Sequence, residues 1–275
     1  LVLFYFLPLV LAVYFIAPRK FRNGILFFFS MIFYAWGEPV YVVLMIFSIL
    51  LNFVAGFWVD KYKKRDQWGK AKGVLTISII LNLLLLGIFK YSDFFVENIN
   101  QIFGLAIPLP RLELPIGISF YTFQAMSYSI DVYRDEAKMQ PNFIAFGAYV
   151  ALFPQLIAGP IVRFQTVAYE LVNRRENLDD FSQGIGRFMV GLGKKVLLAN
   201  SIGMIWEQIC AMGIDTLPVL TAWIGILAFT FQIYFDFAGY SDMAIGLGRM
   251  FGFHFLENFD YPYLSKSITE FWRRW

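Results

Sequence analysis

Long uncharged, apolar runs dominate the chain. Six of them, each of 17 to 24 residues, lie at 1–18, 39–59, 73–89, 114–130, 139–162 and 216–235. A helix needs about 20 apolar residues to cross the hydrocarbon core of a bilayer, so all six reach or approach spanning length. Backbone polar groups in lipid must be satisfied within the segment, and the runs lack the alternation of barrel strands, so they predict α-helices.

A shorter apolar run, 24–37, leads directly into Gly37-Glu38-Pro39. Glycine and proline together interrupt helices, so this sequence predicts two helices hinged at that point. The length of the chain would allow eight or more crossings. The pattern therefore predicts an all-α fold, a polytopic integral membrane helical bundle that forms a single membrane domain over residues 1–275.

Basic residues indicate an orientation. The connections after the runs 1–18 and 39–59 hold nine of them, namely Arg19, Lys20, Arg22, Lys61, Lys63, Lys64, Arg65, Lys70 and Lys72. The loops on the opposite face hold only Lys90 and Arg111. Because loops rich in lysine and arginine stay in the cytoplasm, the basic loops are predicted to be cytoplasmic and the amino end to start outside.

The run 139–162 conflicts with this orientation if it crosses completely. A complete crossing would place six basic residues outside, namely Arg163, Arg174, Arg175, Arg187, Lys194 and Lys195. Pro154, Gly159 and Pro160 interrupt the run, which favours a broken or re-entrant helix over a proline-kinked complete crossing. The polar stretch 163–187 is interpreted as a surface connection with a short amphipathic helix.

Composition narrows the class of protein. Hydrophobic residues make up 59% of the chain and charged residues 16%, with a net charge of +3 and one cysteine, Cys210. These values exclude a disordered chain, a disulfide scaffold and a nucleic-acid-binding module. The chain begins with Leu1, and its first run has no basic flank or cleavage site, so we expect a fragment whose start lies upstream.

The familiar catalytic and metal motifs are absent from the sequence. The one histidine, His254, lies among phenylalanines at 251, 253 and 255, which favours a structural or interfacial role over a catalytic one. No metal site is predicted. The spacing of Gly246, Gly248 and Gly252 does not fit a dinucleotide loop, and Gly248 with Gly252 fits a close contact between helices.

Polar residues inside apolar segments are costly and tend to face a cavity or a partner. Asp236 and Asp242 lie six residues apart, with Tyr240 and Ser241 between them. On a helix, Asp236 shares a face with Tyr240, and Asp242 points elsewhere, so the two carboxylates are not an obvious acid/base pair. Two interpretations stay open: both lie at a helix end and meet water or basic side chains, or both line a polar substrate path.

The carboxyl-terminal residues predict one more helix. Ser267 and Glu270 have the spacing of a capping box, so a helix is expected to begin just after Pro262 and Ser267. Two tryptophans, Trp272 and Trp275, share one face of that helix, and Arg273 and Arg274 point away from it. This arrangement is typical of an anchor at the membrane interface.

Five blocks of this sequence, taken together, resemble a known family. They are Phe-Tyr-Ala-Trp-Gly-Glu-Pro at 33–39, Leu-Pro-Ile-Gly-Ile-Ser-Phe-Tyr-Thr-Phe-Gln at 114–124, the block with Phe-Pro-Gln-Leu-Ile-Ala-Gly-Pro at 152–163, Tyr-Phe-Asp-Phe-Ala-Gly-Tyr-Ser-Asp at the start of 234–249, and the block ending in Phe-Trp-Arg-Arg-Trp at 258–275. Their order is similar to that in the membrane-bound O-acyltransferases, and most similar to the bacterial alginate O-acetylase branch. The resemblance extends across nearly the whole chain.

The resemblance implies an enzyme of the bacterial inner membrane with many membrane-spanning helices. Such an enzyme takes an acyl group from a cytoplasmic thioester, acetyl-CoA or an acyl carrier, and passes it to a hydroxyl of an extracytoplasmic polysaccharide such as alginate. The thioester is a co-substrate, and no bound cofactor is implied. The implied partners are the bilayer, the polysaccharide and extracytoplasmic acetylation proteins, and nucleic acid is not among them.

The resemblance also assigns roles to residues. The family's catalytic histidine, a general base, follows directly after Trp-Arg-Arg-Trp, and His254 does not align with it. This chain is therefore expected to be the amino-terminal and central part of the fold, without its catalytic part, and inactive alone. Candidates for the substrate path are Tyr234, Asp236, Tyr240, Ser241 and Asp242. Candidates for orienting the catalytic helix are Glu270, Trp272, Arg273 and Arg274.

Other functions stay open at this point. Within the enzyme class they are D-alanyl transfer to teichoic acid and acetylation of peptidoglycan or another exopolysaccharide. A transporter or channel would also carry carboxylates in the membrane, but many transporters have repeated halves and none is visible in this sequence. A non-catalytic membrane subunit is the remaining alternative.

Overall fold

The computed structural model describes residues 2–156, 159, 162–213 and 217–275, and the regular structure of these residues is entirely helical. The α-helices are α1 (Leu7–Ile16), α2 (Arg22–Gly37), α3 (Val42–Lys63), α4 (Trp68–Phe103), α5 (Ile118–Arg134), α6 (Phe143–Ala151), α7 (Phe164–Asn173), α8 (Leu178–Gly193), α9 (Asn200–Cys210), α10 (Val219–Met250) and α11 (Ile268–Arg274). Short π-helical segments at Val2–Phe6 and Lys194–Ala199 and 3₁₀ turns at Arg19–Phe21 and Pro262–Leu264 complete the described elements.

The chain divides into two compact units. The first comprises Leu1–Ile157 with Arg163–Val172, and the second comprises Ala158–Val162 with Asn173–Trp275. In the described part of the chain, four helices are long and apolar enough to cross a membrane: α3, α4, the continuous helix Leu178–Cys210 and α10. This is fewer than the eight or more that the length of the chain would allow. The all-α membrane fold is confirmed, and the single domain stays a prediction.

The predicted hinge at residues 37–39 is confirmed. Helix α2 ends at Gly37 and α3 begins at Val42, so the chain turns where the sequence holds glycine, glutamate and proline. Large apolar side chains on α3 and α4 point outward, as expected of helices that face lipid. Examples are Val43, Ile46, Phe47, Leu50, Ile77, Ile80, Leu83 and Leu84.

The run 139–162 forms a broken helix, as predicted. Its helical part, α6, has nine residues, which span about 14 Å at 1.5 Å per residue and so cover about half of a hydrocarbon core. Residues 152–156 are not helical and are buried. A continuous kinked helix through this run is therefore wrong. Pro160 lies outside the described residues, and the side of the membrane on which the segment ends stays a prediction.

Side chains satisfy the backbone where α6 breaks. In a continuing helix the N–H of Phe153 would donate to the carbonyl oxygen of Tyr149. Instead, this N–H donates to Ser30 Oγ at 3.1 Å. The carbonyl of Tyr149 accepts from the side-chain amides of Gln124 and Gln155, each at 3.0 Å. The break is therefore compatible with an apolar surrounding because three polar side chains replace the lost helical bond.

A second buried polar cluster joins α3, α4 and α5. Asn52 and Asn82 donate to each other's side-chain oxygen at 3.0 and 3.1 Å. Ser129 of α5 donates to the Asn52 carbonyl at 3.2 Å. All three side chains are fully buried. Because lipid offers no competing hydrogen bonds, these contacts fix which faces of the three helices meet.

The stretch 163–187 is only partly as predicted. The short amphipathic helix is present as α7, but from Leu178 the chain already belongs to the 33-residue apolar helix Leu178–Cys210. The side chain of Asn177 caps its first turn by accepting from the N–H of Asp180 at 2.7 Å. The prediction missed this helix because cations divide its apolar residues into short runs.

Replacing Asn82 tests the buried polar cluster. Asn82→Ala is expected to lower the free energy of unfolding by about 0.5–2 kcal/mol, because it leaves the Asn52 amide without its reciprocal partner. The measurement is reversible unfolding of the protein in bicelles. The matched control is Asn98→Ala on the same helix, since the exposed Asn98 amide donates only to the Phe94 carbonyl four residues earlier. Equal losses from both variants would contradict the role of the cluster.

Candidate functional site

Two helices of the second unit approach each other unusually closely. They are Leu178–Cys210 and α10, and glycines line their contact. A Cβ atom added to Gly184 would lie 2.6 Å from the carbonyl oxygen of Gly246, and one added to Gly191 would lie 2.5 Å from that of Gly239. In each helix the two glycines are seven residues, or two turns, apart, and their order shows that the helices are antiparallel. Only glycine permits this separation.

The predicted contact between Gly248 and Gly252 on one helix face is wrong. Helix α10 ends at Met250, and Gly252 lies beyond it with a φ of +81°, in the left-handed region that favours glycine. A Cβ atom on Gly248 would overlap the ring of Phe255. The glycines that make the helix contact lie earlier, at 239 and 246, a pair that the spacing of Gly246, Gly248 and Gly252 did not indicate.

Asp242 is the most enclosed charge in this helix pair. Its side chain is 6% exposed, and its two oxygens lie 2.6 Å from Arg187 Nη2 and 2.6 Å from Lys194 Nζ. Arg187 Nε adds a hydrogen bond at 2.8 Å, and the same guanidinium also reaches Glu257. A buried carboxylate is tolerated only when it is paired and hydrogen-bonded, and here two cations satisfy it.

Asp236 pairs with Lys195, and both side chains of this pair are about two-fifths exposed. Adjacent residues of an α-helix point about 100° apart, so Lys194 and Lys195 would not normally reach the same neighbouring helix equally well. The π-helical segment Lys194–Ala199 begins at these two residues. Local π-helical turns of this kind are frequent at functional sites.

The two interpretations of Asp236 and Asp242 can now be compared with the structure. Both residues lie inside α10, well before its end at Met250, so the placement at a helix end is wrong. The expected contact with basic side chains is confirmed. A role of these residues in a substrate path stays a prediction. Of the other two candidates between them, Ser241 is buried and Tyr240 is half-buried.

Sequence reasoning missed the cations of this site. That reasoning treated them only as charges that a complete crossing would place outside the cell. They are Arg187, Lys194 and Lys195. The structure instead places all three within a helix that is long enough to span the membrane. The available signal was the seven-residue spacing of Arg187 and Lys194, which puts both on one helix face. Cations on one face of an apolar helix require partners, and the carboxylates of α10 are those partners.

An aromatic cluster connects α10 to the carboxyl-terminal helix. The ring of Trp275 lies 6.4 Å from that of Tyr234, 5.1 Å from that of Phe259 and 5.5 Å from that of Phe271, measured between centroids. The ring of Tyr263 lies 5.3 Å from that of Tyr234. The structure therefore brings together Tyr234, a candidate for the substrate path, and the helix proposed to orient the catalytic base.

A polar clasp closes the segment from Asp260 to Arg274. The Asp260 N–H donates to the Arg274 carbonyl at 2.8 Å, and Arg274 Nη1 lies 3.3 Å from Asp260 Oδ2. Arg274 Nε also donates to Glu270 at 3.0 Å. The Lys266 N–H and then the Arg274 guanidinium hold the pKa of Glu270 below its usual value. Two candidate residues, Glu270 and Arg274, thus interact directly.

The predicted start of the last helix is confirmed. The Glu270 N–H donates to Ser267 Oγ at 3.1 Å, which is the cap expected from their spacing. The predicted interfacial anchor suits Trp272, which is 67% exposed. It does not suit Trp275, which packs within the aromatic cluster. Arg273 is exposed.

His254 lies at the end of the helix pair. Its Nε2 is 3.4 Å from Asp180 Oδ1, a contact that fits the structural role predicted for it. Among the residues that the structure describes, no group of three or more histidine, cysteine, aspartate or glutamate side chains is placed to hold a metal ion. The candidate site therefore consists of ion pairs, aromatic rings and hydroxyls.

These features define a helical membrane protein with ion-paired carboxylates between two of its spanning helices. Residues 28–275 match the profile of the MBOAT, membrane-bound O-acyltransferase, family, and the chain belongs to that family. Over 277 aligned positions it is 45% identical to the probable alginate O-acetylase of Azotobacter vinelandii, covering 99% of this chain and 55% of that protein.

Two further relatives have other stated activities. The peptidoglycan O-acetyltransferase of Helicobacter pylori is 33% identical over 100% of this chain and 58% of its own length. The teichoic acid D-alanyltransferase of Streptococcus thermophilus is 31% identical over 85% of this chain and 54% of its own length. The chain thus spans about half the length of the relatives it matches.

The glycine contact gives a sharp comparison between two neighbouring positions. Gly191→Ala is expected to destabilise the protein by about 1–3 kcal/mol, because its Cβ would overlap the backbone of α10. Gly193→Ala is the matched control, since a Cβ atom there meets nothing within 4 Å. It is expected to be neutral or stabilising by up to about 1 kcal/mol. Thermal unfolding in detergent measures both, and equal effects would contradict the close crossing.

Proposed function

We propose that this chain forms the membrane part of an O-acyltransferase that acetylates hydroxyls of an extracytoplasmic polysaccharide of the alginate type. Its setting is the bacterial inner membrane. The observation that carries the proposal is the 45% identity to a probable alginate O-acetylase over 99% of this chain. The five sequence blocks quoted above, which span most of the chain, support the same family branch.

The proposed reaction is acyl transfer from a thioester, acetyl-CoA or an acyl carrier. A substrate hydroxyl loses its proton to a general base as its oxygen attacks the thioester carbonyl. The carbon–oxygen bond forms, the carbon–sulfur bond breaks, and the thiolate leaves with the electron pair. The base in this proposal is the histidine that the resemblance places after Trp275, a residue type whose pKa suits the task near neutral pH.

The carboxyl-terminal clasp has a positioning role in this proposal. A general base must lie within hydrogen-bond reach of the proton that it accepts. Arg274 ties the end of α11 to Asp260, and Trp275 packs against Tyr234 of α10. These contacts would hold the residue that follows Trp275 in a fixed place relative to α10. Glu270 and Arg274 act as a pair, and Trp272 and Arg273 face outward.

The pair of Asp236 and Lys195 is partly exposed, and it is the part of the charge network suited to contact a polar substrate. Its side chains are about two-fifths exposed, and that of Asp242 is 6% exposed. We therefore propose that Asp236, with Tyr234 and Tyr240, lines the substrate path. Asp242 and Ser241 would act through the packing of the helix pair instead.

A second candidate function is acetylation of peptidoglycan, which the Helicobacter pylori relative favours because its 33% identity extends over 100% of this chain. D-Alanyl transfer to teichoic acid has weaker support, since the similarity to the Streptococcus thermophilus D-alanyltransferase extends over 85% of this chain at 31% identity. Neither transport nor a non-catalytic role is favoured by a specific observation on the described residues.

Isotope labelling of cells that carry the full-length protein tests the proposed reaction. With labelled acetate, a strain with the gene is expected to release polysaccharide that carries the label as an ester removed by mild alkali, and a deletion strain is not. Labelled D-alanine should add no alkali-labile label to the released polysaccharide of either strain. Label found only in the cell wall would favour the peptidoglycan alternative. Equal acetylation in both strains would contradict acyl transfer by this protein.

Substitution of Asp236 tests the substrate path in the full-length protein. Asp236→Asn is expected to lower the rate of acetyl transfer at least about tenfold, equivalent to about 1.4 kcal/mol, with normal amounts of folded protein. The control is Asp60→Asn, since Asp60 pairs with Lys64 on its own helix and such pairs contribute little.

A charge exchange separates contact with substrate from ion pairing alone. The double variant Asp236→Lys with Lys195→Asp restores a pair but moves the carboxylate to the other helix. Transfer is expected to stay low in this variant. Full recovery would show that Asp236 acts only through its ion pair, and an unchanged rate in Asp236→Asn would remove the residue from the path.

A further inference from the structure

A cavity of about 540 Å³ opens within the first unit and is not used by the proposed reaction. It lies beside the first two helices and the π-helical segment that precedes α1. Apolar side chains form almost all of its wall. They include Phe6, Leu9, Phe29, Ile32, Phe33 and Trp36. The polar side chains of the lining are the tyrosines Tyr5 and Tyr34 and one ionisable residue, Glu38, so the walls are mostly apolar and carry a single carboxylate.

The length of the cavity matches one leaflet of a bilayer. Along α2 and the residue that follows it, the lining extends from Phe29 to Glu38, nine residues apart. At 1.5 Å per residue this distance is about 14 Å, and half of a hydrocarbon core of about 30 Å is about 15 Å. A cavity of this depth fits a chain that ends near the middle of the membrane.

The polar end of the cavity has the features of a membrane interface. Trp36 is 78% exposed, and tryptophan is typical of the level of the lipid head groups. Glu38 follows directly after the end of α2. Its Oε1 accepts from the Ile116 N–H at 3.1 Å, and the Tyr34 hydroxyl donates to the Ile116 carbonyl at 3.0 Å. Both contacts fix Ile116, which also lines the cavity.

The carboxylate at this end has no counter-charge within the described residues. None of the ion pairs between described side chains includes Glu38. Its single hydrogen bond engages one oxygen, and a carboxylate can accept several more. A cationic group at the mouth of the cavity would therefore complement it, and an anionic group would be repelled.

We propose that the cavity binds one acyl chain of a phospholipid whose head group carries a primary ammonium, of the phosphatidylethanolamine class. The acyl chain lies against the apolar wall between α1 and α2, and the ammonium pairs with Glu38. The orientation indicated by the basic loops places this lipid in the extracytoplasmic leaflet. This site is separate from the residues of the candidate site in the second unit, so its test does not depend on the proposed reaction.

Native mass spectrometry of the full-length protein, purified in detergent, tests the site with phosphatidylethanolamine and phosphatidylglycerol of the same acyl chains. The wild type is expected to retain phosphatidylethanolamine preferentially. Leu9→Trp, which fills the cavity, should lower its retention at least about fivefold. The matched control is Leu83→Trp on α4, an exposed apolar position outside the cavity lining. Equal retention by these two variants would overturn the proposal.

Glu38→Gln tests the head-group contact alone. Glutamine keeps an acceptor for the Ile116 N–H but removes the charge, so retention of the two lipids should become equal. A wild type that retains both lipids equally would also overturn the proposal. A photo-crosslinking residue at Ile32 adds an independent readout. Crosslinks to phospholipid support the site, and crosslinks only to another segment of the protein would show that polypeptide fills it.

Discussion

The need to satisfy every backbone polar group in an apolar medium determines much of this structure. Helical hydrogen bonds meet that need along most of the described chain. They are lost at the break after α6. There the Tyr149 carbonyl accepts from Gln124 and Gln155, and the Phe153 N–H donates to Ser30. The three polar side chains come from α2, α5 and the broken segment itself. The break therefore fixes those parts of the first unit against each other, which a continuous helix would not require.

In the second unit the backbone approach determines which charges can meet. The glycine pairs set the register of two antiparallel helices, with Gly184 against Gly246 and Gly191 against Gly239. Arg187 lies three residues after Gly184 and four before Gly191. In that register it lies opposite Asp242. Long basic side chains then reach short carboxylates across a contact that leaves little room for lipid. The ion pairs thus follow from the small residues, because a wider separation would leave the same charges in hydrocarbon without partners.

The sequence predicted the elements whose causes are local. The helices of the apolar runs 39–59, 73–89 and 216–235, the hinge at Glu38 and the cap of α11 at Ser267 depend on neighbouring residues, and all of these are confirmed. The helix Leu178–Cys210 was missed because its cations divide the apolar residues into runs that are too short to predict a membrane-spanning helix. Their partners on α10 lie 41 to 55 residues further along the chain, so the compensation is visible only in the folded unit. The same reason hid the role of Gln124 at the broken helix, because the carbonyl to which it donates lies 25 residues away.

Burial divides the candidate residues of α10 into two groups that the sequence treated alike. The side chain of Asp242 is 6% exposed and Ser241 is buried, so the proposed polysaccharide substrate could reach them only if the helix pair separated, and the glycine contact opposes that. Tyr234 and Asp236 are half-buried, and Tyr234 packs against Trp275 at the end of the carboxyl-terminal clasp. Substrate and general base must meet within hydrogen-bond reach. In the proposed function, the part of α10 around Tyr234 and Asp236 would therefore connect the substrate path to the catalytic helix, and the buried ion pairs of Asp242 would hold that part in place.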